Sequence, residues 1–189
     1  MLRDIDRRIT AYHEAGHVVI GHLMGLRVYS VYAGEEIFCK EKKISGLTVF
    51  ALSKNGWCGT SDYFYDSVSK HEKQAKIYAA GRIVEQLFFP NDWSRYCSHS
   101  DWEGIKRELE YCDSVKISNI IISTRKLLRK KETNCLVRKI AWVLYGRGHL
   151  NHLEIPIILG IKKRKWRIKR KLKQFFSKIK RRVLCLVKK

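Results

Sequence analysis

From Asp4 to Met24, apolar residues recur at three- and four-residue spacing: Ile5, Ile9, Tyr12, Ala15, Val19 and Leu23. That period lays one apolar stripe along a helix, and Gly25 is its stop. The period then changes. "RVYSVYAG", "EIFCK" and "GLTVFAL" are rich in β-branched and aromatic residues and predict short strands. "SKNGWCGTSD" reads as a loop. Helical spacing returns at "SKHE", Ser69 to Glu72, whose S-x-x-E form is a capping box that occupies a helix's first free N–H groups. This helix continues through "KQAKIYAAGRIVEQLFF" and stops before Pro90. A second box, "SDWE", makes Ser100 an N-cap and Asp101 the first helical residue, with Trp102, Ile105, Leu109 and Cys112 on one face. Two more helical stretches lie near "SNIIISTRKLLRK" and "NCLVRKIAWVLYG". "GHLNHLEIPIILG" then predicts a turn and a short helix. The fold class expected is mainly α with a small β-sheet.

Composition changes this picture at one end of the chain. The 189 residues, 45% hydrophobic, suffice for a sizeable core. Net charge is +21, from 39 basic and 18 acidic residues, which points to an anionic partner. Of the basic residues, 15 lie in 162–189 with no acidic residue among them, which leaves 24 basic against 18 acidic in the rest. The expected organisation is a domain at 1–161 and a basic tail at 162–189. In the tail, Trp166, Ile168, Leu172, Phe175, Phe176, Ile179, Val183 and Leu186 fall mostly three or four apart. One apolar and one cationic face is the signature of a helix lying in a membrane interface, with Trp166, Phe175 and Phe176 at the headgroup boundary. Each tail cation near anionic lipid would add about 1 kcal/mol. The same charges would bind nucleic-acid phosphates, a second choice because of the apolar stripe. The plainest alternative is a helix packed on its own domain or on a partner.

The six cysteines form no C-x-x-C pair, and no secretory signal opens the chain, so reduced thiols in a cytosolic compartment are expected. No run of 18 apolar residues spans a membrane. The expected location is cytoplasmic, peripheral on the inner face of a membrane through the tail.

The first helix carries "HEAGH" at His13, Glu14 and His17, an H-E-x-x-H pattern. Residues four apart sit one above the other on a helix, so both imidazoles can reach one Zn²⁺. The glutamate lies one position round, where it can take a proton from a water on the metal as general base. The alternative is two incidental histidines on a surface helix. A catalytic zinc needs a third protein ligand and an open position. Ile20 and Leu23 exclude the H-E-x-x-H-x-x-G-x-x-H class, and His22 points to another face. The remaining candidates are Glu85, His99, Asp101 and His71. Asp101 stands out because a carboxylate in a first helical turn is held rigidly, although it can equally serve to complement the helix dipole. Glu85, three after Arg82, can instead make an intrahelical ion pair.

"AYHEAGH", then "AAGRIVEQLFF", then "SHSDWEGIKREL", resembles the peptidase domain of the FtsH-type, AAA-linked zinc metalloproteases. The likeness extends more weakly through "NCLVRKIAWVLYGRGHLNHLEI" and covers about residues 7–160. It implies a zincin-like helical metallopeptidase domain, with His13, His17 and Asp101 as zinc ligands and Glu14 as general base. It also implies that the strand at Gly46, Leu47, Thr48 and Val49 pairs with an extended substrate backbone, as an exposed strand edge can.

The family normally carries an ATPase module and membrane helices ahead of the peptidase; here no G-x-x-x-x-G-K-[ST] occurs. A zinc endopeptidase of this kind is expected to cut peptides and loosened chains without ATP, as a homo-oligomer or with a partner ATPase. The competing class is a non-catalytic binding protein with a structural or vestigial metal site, whose tail acts at a membrane or on nucleic acid.

Overall fold

The computed structural model describes residues 4–39, 42–50, 68–92, 99–112 and 115–160. The loop expected at 53–62 and the tail, with Trp166, Phe175 and Phe176, lie outside these residues. In order, the elements are helix α1 (Asp4–Leu23), strands β1 (Val28–Cys39) and β2 (Lys42–Phe50), and helices α2 (Val68–Phe88), α3 (His99–Leu109), α4 (Ile117–Arg129) and α5 (Lys131–Arg147). Strand β3 (His149–Asn151) and the short helix α6 (Ile155–Ile158) follow. The protein is mainly helical with a small sheet, as its periodicity predicts.

Helix α1 lies at the centre. From Ile9 to Gly21 every residue except Tyr12 is buried, a wider face than the single stripe expected from the sequence. Small residues explain the difference. Ala11, Ala15 and Gly16 let neighbouring elements close on sides that carry no large apolar group. Helices α2 and α5 and the sheet pack around α1. Ile140, Ala141 and Leu144 of α5 and Ala79, Ala80, Ile83 and Val84 of α2 complete one core with Val18, Val19 and Ile20.

The α1–α2 contact is set by glycine. A Cβ built at Gly16 would lie 2.9 Å from the Ala80 carbonyl oxygen and 2.9 Å from Val84 Cγ2. One built at Gly81, on α2, would lie 2.5 Å from the His13 ring. Each helix therefore presents bare backbone where the other comes closest.

The sheet has the order β2-β1-β3, antiparallel throughout. The two short strands expected from "RVYSVYAG" and "EIFCK" are one strand, β1, with a register shift between Ala33 and Ile37. Strand β3 has no counterpart in the periodicity, because three residues are too short to show one. It forms because Gly148, at φ 72°, caps α5 in the left-handed conformation and turns the chain back against β1, burying Leu150.

Helices α2 and α3 begin at Val68 and His99, so Ser69 and Ser100 stand inside their first turns and not at the N-cap. The S-x-x-E pattern marks a helix start to within a residue but does not fix which residue leaves helical geometry. Asp101 is consequently the third residue of α3. Ile105 is buried and Trp102 and Leu109 pack partly against the core, the face expected for that helix, while Cys112, also buried, lies beyond its end. Among the described residues, no helix is long and apolar enough to cross a membrane.

The α1–α2 crossing yields a prediction. Replacing a helical glycine by valine gains a few tenths of a kcal/mol of propensity, whereas overpacking a tight contact costs about 1–3 kcal/mol. Gly16→Val is therefore expected to destabilise the fold, lowering the thermal midpoint by at least about 2 °C for a chain of this size. Circular dichroism melting of the variant beside the wild type measures it, and an unchanged midpoint would contradict the close contact.

Candidate metal centre

His13 and His17 stand one turn apart on α1 and point at α2 and α3. His13 Nδ1 is 2.7 Å from Glu85 Oε1, and His17 Nδ1 is 2.8 Å from the Ile77 carbonyl oxygen. These partners fix the tautomers, because a carbonyl and an ionised carboxylate only accept. Both Nδ1 atoms therefore donate, and both Nε2 atoms carry lone pairs. The two Nε2 atoms are 2.9 Å apart. Asp101 Oδ2, from the first turn of α3, lies 3.1 Å from His13 Nε2 and 3.2 Å from His17 Nε2.

With both rings neutral, three lone-pair atoms would thus face one another, a set that a proton or a metal ion between them relieves. Tetrahedral coordination with bonds of 2.0–2.1 Å puts neighbouring ligand atoms about 3.3 Å apart, close to the separations here. Among the described residues, His13, His17 and Asp101 form the one group of His, Cys, Asp and Glu that could hold a metal ion. The donor set, two nitrogens and one oxygen, suits Zn²⁺ and leaves a coordination position open.

The electrostatics agree. Burial alone would lower the His13 pKa, but the Asp101 and Glu85 carboxylates outweigh it and hold the imidazole well above its ordinary value. Burial also works against charge on His17, and Asp101 again raises the net value. The Asp101 carboxyl, pushed up by burial, is drawn far below the usual carboxylate range by the two imidazoles. The pocket favours positive charge at its centre.

Glu14 stands beside this group and not within it. It is buried, and Thr48 Oγ1 of β2 donates to its Oε2 at 2.5 Å. A Cβ at Gly46 would collide with Glu14 Oε1, so only a glycine lets β2 pass over the carboxylate. Gly46 and Thr48 of the expected substrate strand thus also hold Glu14. Leu47 and Val49 lie on the same strand, paired in register with Tyr32 and Ser30 of β1.

The remaining candidates for a third ligand separate clearly. Glu85, 2% exposed, holds His13 from behind. His71 Nδ1 is 2.9 Å from Glu108 Oε2, and its ring stacks on Tyr111 at 4.7 Å, away from the group. The His99 side chain lies outside the described ones. The part played by Glu85 had a signal in the sequence that went unused. Gly81 and Glu85 are four apart on α2, so a position with no side chain, open to a ring, lies one turn from a carboxylate. Nothing in the sequence said that this face meets His13.

No protein-family model matches the chain. A stretch of 97 residues is 31% identical to the ATP-dependent zinc metalloprotease FtsH 1 of Alkaliphilus metalliredigens (strain QYMF), covering 49% of this chain and 14% of that protein. The chain thus spans about a seventh of that relative's length. The likeness supports a distant FtsH-like relation.

The raised histidines and lowered aspartate predict the stability of the metal-free protein. A pKa raised on folding stabilises fully below the unfolded value, about 6.5 for histidine, and the contribution is lost as pH rises through the folded value. A lowered carboxyl stabilises above its unfolded value, about 3.9, and the contribution is lost as pH falls. Chelator-treated protein is thus expected to melt lower as pH rises above about 6.5 and as it falls below about 4. Saturating zinc should remove the loss on the alkaline side, since the metal replaces the proton. Thermal scans across pH, with and without zinc, read both effects.

Proposed function

We propose that this chain is a zinc-dependent endopeptidase that hydrolyses unfolded or loosely folded protein segments. The observation that carries the reading is the convergence of His13 Nε2, His17 Nε2 and Asp101 Oδ2 within 3.2 Å of one another. Beside them is a buried glutamate that is not one of the group. The distant likeness to an ATP-dependent zinc metalloprotease supports the same reading.

His13, His17 and Asp101 would hold the ion. Bound there, zinc would act as a Lewis acid, polarising the scissile carbonyl and acidifying water. Glu14 takes a proton from the attacking water and delivers it to the leaving nitrogen, so that the C–N bond breaks as a C–O bond forms. Thr48 and the bare backbone at Gly46 keep that carboxylate in one place. Glu85 and the Ile77 carbonyl orient the two imidazoles, the outer-shell arrangement that tunes metal-binding histidines.

Among the described strands, β2 is paired on one side only, by β1. Its other edge, at Gly46 to Val49, supplies main-chain hydrogen bonds to an extended peptide, and these are largely indifferent to sequence. That suits a substrate presented as an unfolded chain. Hydrolysis of a peptide bond by this chemistry consumes no ATP of itself.

The decisive experiment combines zinc content by elemental analysis with digestion of casein, with and without chelator. One zinc per chain and chelator-sensitive cleavage are expected. Glu14→Gln should retain the zinc and lose cleavage by at least about a hundredfold. Zinc-loaded wild-type protein that leaves casein intact, or a Glu14→Gln variant that still cuts, would overturn the reading. Glu85→Gln should weaken zinc binding by about 10–100-fold, the usual effect of losing a carboxylate behind a metal-bound histidine. Competition with a zinc-sensitive dye measures this.

A further inference from the structure

A cavity of about 470 Å³ opens directly beside Asp101, between α2, α3 and α4. Such a volume is in the range that holds small ligands or large side chains. Ala79, Ile83, Ile105 and Ile121 give it apolar walls together with Trp102, and Tyr78, Arg82, Gln86 and Arg125 supply the polar groups. The one acid on its wall is Asp101, whose Oδ2 is already engaged with the two imidazoles.

Arg125 is the distinctive group. Its Nη2 donates to Gln86 Oε1 at 2.6 Å. That partner is a neutral amide, and among the described residues no carboxylate pairs with the guanidinium. Among the described residues no other hydrogen bond is made by the guanidinium, whose remaining N–H donors form a fork that matches a carboxylate. An apolar cavity with a guanidinium on its wall selects a group with an apolar stem and an anionic end.

We propose that this cavity binds a carboxylate of the peptide substrate, next to the bond cleaved, with Arg125 as the specificity-determining residue. The inference rests on the peptidase reading above. It adds to it a substrate class: unfolded segments carrying glutamate or aspartate beside the cleavage point, or ending there. The methylenes of a glutamate would lie along Ile83, Ile105 and Ile121 while its carboxylate meets Arg125. The main-chain contacts of β2 do not select sequence; this cavity does.

The test uses acetylated, amidated decapeptides of alanine, serine and glutamine in which one glutamate is moved through the positions, beside a matched series with glutamine in its place. A third series has neutral side chains and a free C-terminus. Binding to the Glu14→Gln protein is followed by NMR at the Arg125 Nε–H, and cleavage is followed with the wild type. One glutamate position is expected to bind about tenfold more tightly than its glutamine counterpart and to shift the Arg125 signal. The preference should vanish in Arg125→Gln and persist in Arg125→Lys, which keeps the charge. A tenfold advantage confined to the free C-terminus, and lost in Arg125→Gln, would identify the chain end as the carboxylate bound. Equal binding of all three series, or a preference that survives Arg125→Gln, would overturn the proposal. Cleavage without a carboxylate preference overturns the cavity alone. A preference without cleavage leaves the cavity standing and overturns the peptidase.

Discussion

The distance between α1 and α2 controls everything at the centre of this protein. At Gly16 the backbone of α2 reaches within 2.9 Å of where a side chain would begin, and at Gly81 the His13 ring takes the place of one. That closeness lets the Ile77 carbonyl reach His17 and lets Glu85 reach His13. Both contacts settle which ring nitrogen keeps its proton. The two Nε2 lone pairs can then converge with the Asp101 carboxylate. A helix pair held apart by ordinary side chains, with axes 8–10 Å apart or more, would not place a ring against bare backbone.

Charge is distributed with the same logic. The chain as a whole carries +21, yet among the described residues the buried ionisable groups are Asp6, Glu14, Glu85 and the two histidines, with no buried lysine or arginine. Burying carboxylates is costly unless each meets a donor or a cation. Glu14 meets the Thr48 hydroxyl, Glu85 the His13 N–H, and Asp101 the pair of imidazoles. The carboxylates of Glu14, Glu85 and Asp101 surround the point that the two Nε2 atoms and Oδ2 approach, and so favour positive charge on or between the imidazoles. A divalent cation bound there would take the place of the imidazole protons.

On the proposed reading, the sheet and the cavity would divide the work of recognition. Strand β2 lies against Glu14 and, among the described strands, is paired along one edge only, so the element that could receive a peptide also holds the proposed base. The cavity beyond Asp101 is built by three helices from different parts of the sequence, and Arg125 comes from the one farthest along the chain. Affinity from backbone pairing and selection by a side-chain cavity are separable properties.

Local pattern was enough for much of this. The spacing of Ile9, Ala15 and Val19 made α1 a helix, and a helix puts His13 and His17 on one face whatever surrounds them. The stops at Gly25 and before Pro90, and the start of α3 near Asp101, follow from the residues that end and open helices. The rest depended on long-range contacts. β3 is too short to have a period, and it exists because Gly148 turns α5 back toward β1. That Glu85 holds a histidine rather than a neighbouring arginine depends on a contact 72 positions away in the chain. Asp101, favoured by its place in a first helical turn, stood beside Glu85, His71 and His99 as a candidate third ligand. What separated three of them was which helix faces meet, and that is decided by packing across the core. Helical periodicity is a property of adjacent residues and so is written in the sequence; the meeting of three faces exists only once α1, α2 and α3 have closed on one another.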